Sequence, residues 1–243
     1  MLRTIETASR VALGKGWGAG TVREEVAACL GQLPGYSPGE GLIALDIGAN
    51  VGDWTESLLK ASPQASVFAF EPSGEAFEKL SQKFSTTPNV RLVRAAVGNT
   101  NGVATLWAPL PGSGLASLTK RRLDHMGIDF DHSENVDLVT LDEWCELNKV
   151  SPTLIKIDVE GHELDVLQGG LNTLKGVKVV QFEFGGCNID TRTYFQDFWY
   201  FFEKLGFKLS RITPSGLTEV SKYREEDESF QTTNFIAVAT REK

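Results

Sequence analysis

The sequence predicts an α/β fold: an open, Rossmann-like, mostly parallel sheet with a β insertion and an antiparallel C-terminal hairpin. Three observations carry that expectation. From Gly41 to Phe184, short continuous apolar runs alternate with stretches of helical period, and such runs mark strands buried on both faces. Between residues 102 and 140 the alternation stops, and short β-like pieces follow one another between Gly, Pro and Asn turns. The chain then closes with two apolar runs, 207–212 and 234–240, with no helix-length segment between them. Such a pair is most simply an antiparallel addition to a parallel sheet.

Each element has its own signal. Residues 3–13 and 21–33 have helical character and belong to an N-terminal helical extension, 1–40, ahead of a single domain over 41–243. The "GKGWGAG" between them has no preceding strand and no "GK[ST]" ending, so it reads as a flexible connector rather than a phosphate loop. "LIALDI" is the first buried strand, and a helix from about Asp53 follows with Trp54, Leu58 and Ala61 on one face. "SVFAFE" is the second strand; Pro72 turns it into a helix that spaces Phe77, Leu80 and Phe84. "VRLVRAAV" is the third strand, and "GVATLW", "ASLTK" and "VDLVT" form the antiparallel insertion beside the main sheet. After a helix at "LDEWCELN", "TLIKIDVE" is the fourth strand, Leu164, Leu167, Leu171 and Leu174 mark a helix, and "VKVVQFEF" is the fifth strand. "TYFQDFWYFFEKLGF" has the aromatic content of a base-stacking or lipid-binding box. Yet Phe195, Phe198, Trp199, Phe202 and Leu205 keep helical spacing, which is the pattern of a buried face. Tyr194 and Tyr200 fall off that face and are available to line a pocket.

Composition narrows the function classes. The 243 residues are 41% hydrophobic, enough for a full core without staples, and the three cysteines lie in no C-x-x-C pattern. That usage suits a reducing cytosol, and no apolar run approaches membrane-spanning length, so a soluble cytoplasmic protein with no membrane partner is expected. The net charge of −8, with Lys and Arg scattered apart from "KRR" at 120–122, argues against a nucleic-acid surface. The acidic run "REEDE" reads as a solvated loop. Oligomeric state has no legible signal.

The unusual residues fall at the carboxyl ends of the strands, where open α/β sheets bind ligands. Asp46 ends the first, Glu71 the second, Asp158 and Glu160 the fourth, and Glu183 the fifth. Unpaired carboxylates there are costly, so five of them argue for a ligand. In the first turn, Gly48, Asn50 and Gly52 permit close backbone approach and left-handed conformations. The spacing D-x-G-x-N-x-G lacks the packing glycine of a pyrophosphate cradle, and Asp46 would oppose an anion. A phosphate-free ligand with a cationic amino or sulfonium group fits better, and S-adenosylmethionine is such a ligand. Glu71 lies about 25 residues beyond Asp46, near the interval at which Rossmann-type folds present a carboxylate to ribose hydroxyls; the plain alternative is a carboxylate favoured by a helix N-terminus.

"LDIGANVGDWT", "FAFEPSGEAFEKL", "AAVG", "TLDEW" and "LIKIDVEGHELDVLQGG", in that order, resemble the FkbM family of S-adenosylmethionine-dependent methyltransferases. The resemblance runs from about Leu42 to Phe184. It implies a seven-stranded methyltransferase sheet and methyl transfer to a hydroxyl of a small molecule or glycan, leaving S-adenosylhomocysteine. By position it implies a turn of Asp46, Gly48, Asn50 and Gly52 under the methionine end, Glu71 and Pro72 at the ribose, Ala96 and Val97 at the adenine, and Ser117 facing the cofactor.

A weakly acidic hydroxyl calls for alignment and a base. "KIDVEGHE" offers Asp158, Glu160 and His162; the two carboxylates share strand parity, and His162 has an ordinary pKa suited to proton acceptance. The plain reading of His162 is a helix-start histidine bonding a carboxylate. Glu183 is a second base or its orienter. D-x-E-x-H also admits a divalent metal, but alternate residues rarely converge on one ion, so a metal is optional and not favoured. His125 and His132 read as residues of a solvated loop. Two other readings stand beside the methyltransferase: a catalytically silent S-adenosylmethionine-binding scaffold, which Asp158 and His162 turned away from a pocket would favour, and an NAD-dependent oxidoreductase, which the missing G-x-G-x-x-G opposes.

Overall fold

A computed structural model describes residues 2–18, 21–37 and 39–240. Helices α1 (Leu2–Ala12) and α2 (Val22–Gly31) precede β1 (Ile43–Ile47), α3 (Asp53–Ala61), β2 (Ser66–Phe70), α4 (Gly74–Lys83) and β3 (Val90–Val93). The insertion holds β4 (Ala96–Gly98), β5 (Gly102–Ala108) and β6 (His132–Thr140). There follow α5 (Leu141–Asn148), β7 (Leu154–Ile157), α6 (Glu163–Gln168), β8 (Val179–Phe184), α7 (Cys187–Thr191) and α8 (Phe195–Lys204). The chain closes with β9 (Phe207–Thr213), β10 (Gly216–Glu219) and β11 (Thr233–Ala239).

The main sheet runs β3-β2-β1-β7-β8-β11-β9-β10. Its β3-to-β8 half is parallel, and β11 lies antiparallel between β8 and β9. The fold is the expected α/β sheet with antiparallel C-terminal strands. The hairpin differs in detail, because β9 turns directly into β10, an eighth strand, and β11 then inserts between β8 and β9.

Period-two alternation assigns the faces. Leu45 and Ile47 point into the layer of α5, α6 and α8, whereas Ala44 joins α2 and α3 through Val26, Cys29, Trp54 and Leu58. The aromatic helix is core: Phe195, Phe198 and Phe202 are fully buried, and Phe182 stacks on Phe198 at 5.0 Å and Phe202 at 5.2 Å. Trp199 is half-buried and donates to Val220 O at 3.3 Å.

Four sequence expectations need correction. "VRLVRAAV" is two strands: β3 pairs with β2 as far as Val93, then the chain leaves at Arg94–Ala95 and β4 pairs with β6 instead. Beyond Phe70 the second strand runs into Pro72, which has no N–H, so the ladder stops there. The three-stranded insertion sheet β4-β6-β5 is therefore separate from the main one, with "ASLTK" contributing only a bridge from Ser117 to Trp107. The helix after β7 ends at Gln168, because Gly169 packs against β4 so closely that a Cβ there would lie 2.0 Å from Gly98 O. Finally, the described part of "GKGWGAG", 14–18, is no loose connector. It lies flush on β9 and on Thr232: a Cβ on Gly14 would meet Ile212 O at 2.5 Å, and one on Gly18 would meet Thr232 Cγ2 at 2.5 Å.

Candidate active site

The strand order reverses between β1 and β7, and the turns leaving these two strands touch. Gly48 has φ +76°, and a Cβ there would stand 1.8 Å from Asp158 O. Only glycine satisfies both the left-handed conformation and that approach. The turn is fixed from the other side by Glu71, whose carboxylate accepts from Asn50 N–H and Ser73 N–H, both at 2.8 Å. Burial outweighs those bonds and pushes the Glu71 carboxyl up to about 7.

Beneath the turn, Asp46 points into the fold. Its carboxylate is fully buried on the α3 side, 3.1 Å from Lys156 Nζ and accepting from Thr55 Oγ1 at 2.7 Å. Lys156 also donates to Gly48 O at 2.7 Å and lies 3.8 Å from Asp158. Asp46 and Lys156 are cross-strand partners, as are Lys156 and Gln181, so a polar row crosses three strands. Gln181 accepts from Trp54 Nε1 at 2.8 Å and donates to Glu25 of α2 at 2.6 Å. Gly52 likewise serves packing, since a Cβ there would meet Phe84 and Leu80 of α4 and its neighbour.

Three spaces open above this row. The first, about 640 Å³, is lined by Gly48, Asn50, Glu71, Pro72, Ala96, Val97 and, from the insertion, Ser117. The second, about 1280 Å³, lies under α1 and the strap behind it. The third, about 560 Å³, sits between the Asn50 turn and α2. Asp158 borders the first and third, Glu160 the first and second, and Glu183 the second and third. The carboxylates therefore stand where the spaces meet.

Their environments differ. Strand parity does not relate Asp158 and Glu160, because β7 ends at Ile157 and Glu160 takes a positive φ of 53°. Asp158 is exposed on its cavity side, whereas Glu160 is nearly buried against Arg121 Nη1 at 2.5 Å. Burial, then the Asp158 charge, pushes the Glu160 carboxyl up to about 8 against the pull of Arg121. Glu183 enters no hydrogen bond or ion pair among the described residues; burial and the neighbouring carboxylates push it well up.

His162 borders the first space, but both its ring nitrogens are engaged. Nδ1 lies 2.7 Å from Asp165 Oδ2, and Nε2 lies 2.9 Å from Thr119 Oγ1. With Ser117 Oγ donating to Glu160 O at 2.8 Å, and Arg121 reaching both Glu160 and Asp190, it pins the insertion as a roof over the first space. Held at both ends, the imidazole ties the start of α6 to the insertion. Asp158, Glu160 and His162 thus face different partners, and among the described residues no three His, Cys, Asp or Glu side chains gather around one metal position. His125 is exposed and His132 half-exposed, and neither borders the three spaces. Tyr194 and Tyr200 are about half exposed and also stand outside them.

Lys156, Thr55, Arg121 and Glu25 escaped the sequence reading. The lysine within the buried run "LIKID" was a legible signal, since a charge there must find a partner. Arg121 reaches Glu160 39 residues away, and Glu25, beyond its local partner Thr21, meets Gln181 156 residues away, separations that no local pattern encodes.

Comparison with known proteins gives a family match: the methyltransferase FkbM domain, over residues 46–209. The 2-O-methyltransferase NoeI of Sinorhizobium fredii is 30% identical over 153 residues, covering 58% of this chain and 63% of that protein. The hexuronic acid methyltransferase AglP of Haloferax volcanii is 30% identical over 138 residues, covering 56% of this chain and 52% of that protein. The matches thus span about half to 63% of the length of these relatives. Among solved structures, the fibrillarin pre-rRNA processing protein of Methanococcus jannaschii aligns at 13% identity with a TM-score of 0.49, covering 91% of this chain and 77% of that one. Among the described residues, no helix is long and apolar enough to cross a membrane.

Proposed function

The chain belongs to the FkbM methyltransferase family, and from that premise we propose that it transfers a methyl group from S-adenosylmethionine to a hydroxyl of a small molecule or glycan. The observation that carries the reading is the meeting of the three spaces at Asp158, Glu160 and Glu183: a donor in the first and an acceptor in the second would face each other there. Both relatives are named as methyltransferases, one of them for a hexuronic acid, which favours a saccharide acceptor. Residues 41–243 are the methyltransferase domain; ahead of it, α1 and the strap behind it border the second space and α2 borders the third.

The residues of the first space fit the donor. Glu71 keeps lone pairs free for two ribose hydroxyls, Ala96 and Val97 present backbone and apolar surface to an adenine, and the Gly48–Asn50 turn with Asp158 receives the methionine end. When bound, S-adenosylmethionine supplies a methyl group already activated by its sulfonium. The chain must then align the acceptor oxygen and take its proton. Glu183 is the base: its carboxylate faces the second space and is claimed by no cation, and burial raises its pKa above the ordinary carboxylate range. Arg121 holds Glu160, and His162 and Thr119 hold the roof. The silent-scaffold reading would need Asp158 and His162 turned away from a pocket, but both border the first space.

Calorimetry with S-adenosylhomocysteine, and with NAD for comparison, tests the donor. Micromolar binding of the former alone is expected, weakened roughly 10- to 100-fold by Glu71→Ala, the loss of hydrogen bonds to a charged acceptor. Binding of NAD, or of neither ligand, would sink the reading. Ribose hydroxyls bind the ionised carboxylate, which is scarce below a pKa of about 7. Affinity should therefore rise about tenfold from pH 6 to pH 8, in proportion to the competent fraction, and Glu71→Gln should flatten that rise.

Gly48→Ala gives a sharper check of the turn. The added methyl must force the β1 and β7 ends apart, so S-adenosylhomocysteine affinity should fall, and a displacement of about 1 Å costs on the order of 100-fold in rate. A folded variant with unaltered S-adenosylhomocysteine affinity would place the methionine end elsewhere.

A further inference from the structure

The second space has a wall unlike those of the other two. Its floor carries Glu160 and Glu183, while α1 and the strap bring Arg10 and Lys15 to the opposite side. The strap is held in place by more than glycine packing: Arg211 Nη1 donates to Leu13 O at 3.3 Å, and Gly16 N–H to Thr233 Oγ1 at 3.4 Å. Arg10 and Lys15 are therefore presented over the space by a segment fixed to the sheet. At about 1280 Å³, solvent at its mouth included, it is the largest of the three spaces.

The charges on its two sides are not equally matched. Glu160 is paired with Arg121, and burial with the neighbouring carboxylates disfavours charge on Glu183. Lys15 Nζ, by contrast, donates to a carbonyl oxygen, that of Glu226, and the nearby Asp227 is already taken by Arg211 at 2.8 Å. Arg10 pairs with Glu6 one helical turn away, an exposed i,i+4 pair of the kind that contributes little and yields to another anion. In a molecule of net charge −8, two such cations above that floor form a local anion-attracting wall.

We propose that the second space is the acceptor site, and that Arg10 and Lys15 select an acceptor bearing an anionic substituent, a carboxylate or a phosphoryl group, on the saccharide that is methylated. This rests on the first space being the donor site. It gives α1 a task in specificity that lies outside the segment matched to the family, 46–209.

Ligand-observed NMR titration of the full chain, saturated with S-adenosylhomocysteine, would compare glucose, glucuronate and glucose 6-phosphate. At least one anionic sugar is expected to bind tenfold or more tightly than glucose, and the double variant R10Q/K15Q to reduce that preference to within twofold while leaving S-adenosylhomocysteine affinity unchanged. Preference for glucuronate alone identifies a carboxylate, and preference for glucose 6-phosphate alone a phosphoryl group. Equal binding of all three sugars, binding of none, or a preference that survives R10Q/K15Q overturns the proposal. Failure of S-adenosylhomocysteine to bind the wild type overturns instead the donor reading, independently of the sugar titrations.

Discussion

Lys156→Met is expected to destabilise the fold by about 3–5 kcal/mol, the cost of removing one partner from a buried ion pair. The lysine is almost fully buried, and its Nζ serves Asp46, Gly48 O and, more distantly, Asp158. Neighbouring carboxylates raise its pKa despite desolvation, so it is charged in the native state. Methionine fills a similar volume and leaves the Asp46 carboxylate with only Thr55. Urea denaturation checks the size of the loss. The double variant Asp46→Asn/Lys156→Met should recover part of it, because no uncompensated charge then remains. A loss below about 1 kcal/mol for the single variant would show that the pair behaves as a solvated one.

The second large effect is on turnover. Glu183→Gln is expected to lower kcat by roughly 10²- to 10⁴-fold, the usual contribution of a positioned general base. Gln keeps the shape of the side chain and its place between the second and third spaces, so the substitution removes proton acceptance alone. S-adenosylhomocysteine affinity should stay unchanged, since Glu183 does not border the first space. The measurement is S-adenosylhomocysteine release with an acceptor that the wild type methylates. Because burial raises Glu183, the wild-type rate should climb with pH as the carboxyl ionises, and the variant should lose that limb. A variant retaining more than a tenth of the activity would move the base to Asp158 or Glu160.

These two residues also mark how far the sequence could be read. Glu183 was visible because its position at the end of "QFEF" follows from strand period alone, and the same logic found Glu71 and Asp158. Lys156 sat in an equally clear strand, yet its significance depends on Asp46 standing opposite it, a register set by two strands 110 residues apart. The count of five strand-end carboxylates took each as available to a ligand. Asp46 is instead matched from within the fold, and His162 is occupied at both ring nitrogens.

By itself the sequence determined what depends on near neighbours: the parallel sheet, the glycine turn after β1, the carboxylate after β2, the buried face of the aromatic helix, and the family through its ordered motifs. Periodicity and turn chemistry are local, so they are written in the chain. Only the tertiary structure decided which charges are matched, how "VRLVRAAV" divides between two sheets, and where α1, the strap and α2 lie. Glu25 meets Gln181, Gly14 meets Ile212, and Arg121 meets Glu160 and Asp190 across separations that no local pattern encodes. Desolvation and charge pairing are properties of the folded surroundings, and they separate the carboxylates placed to act from those that hold the site together.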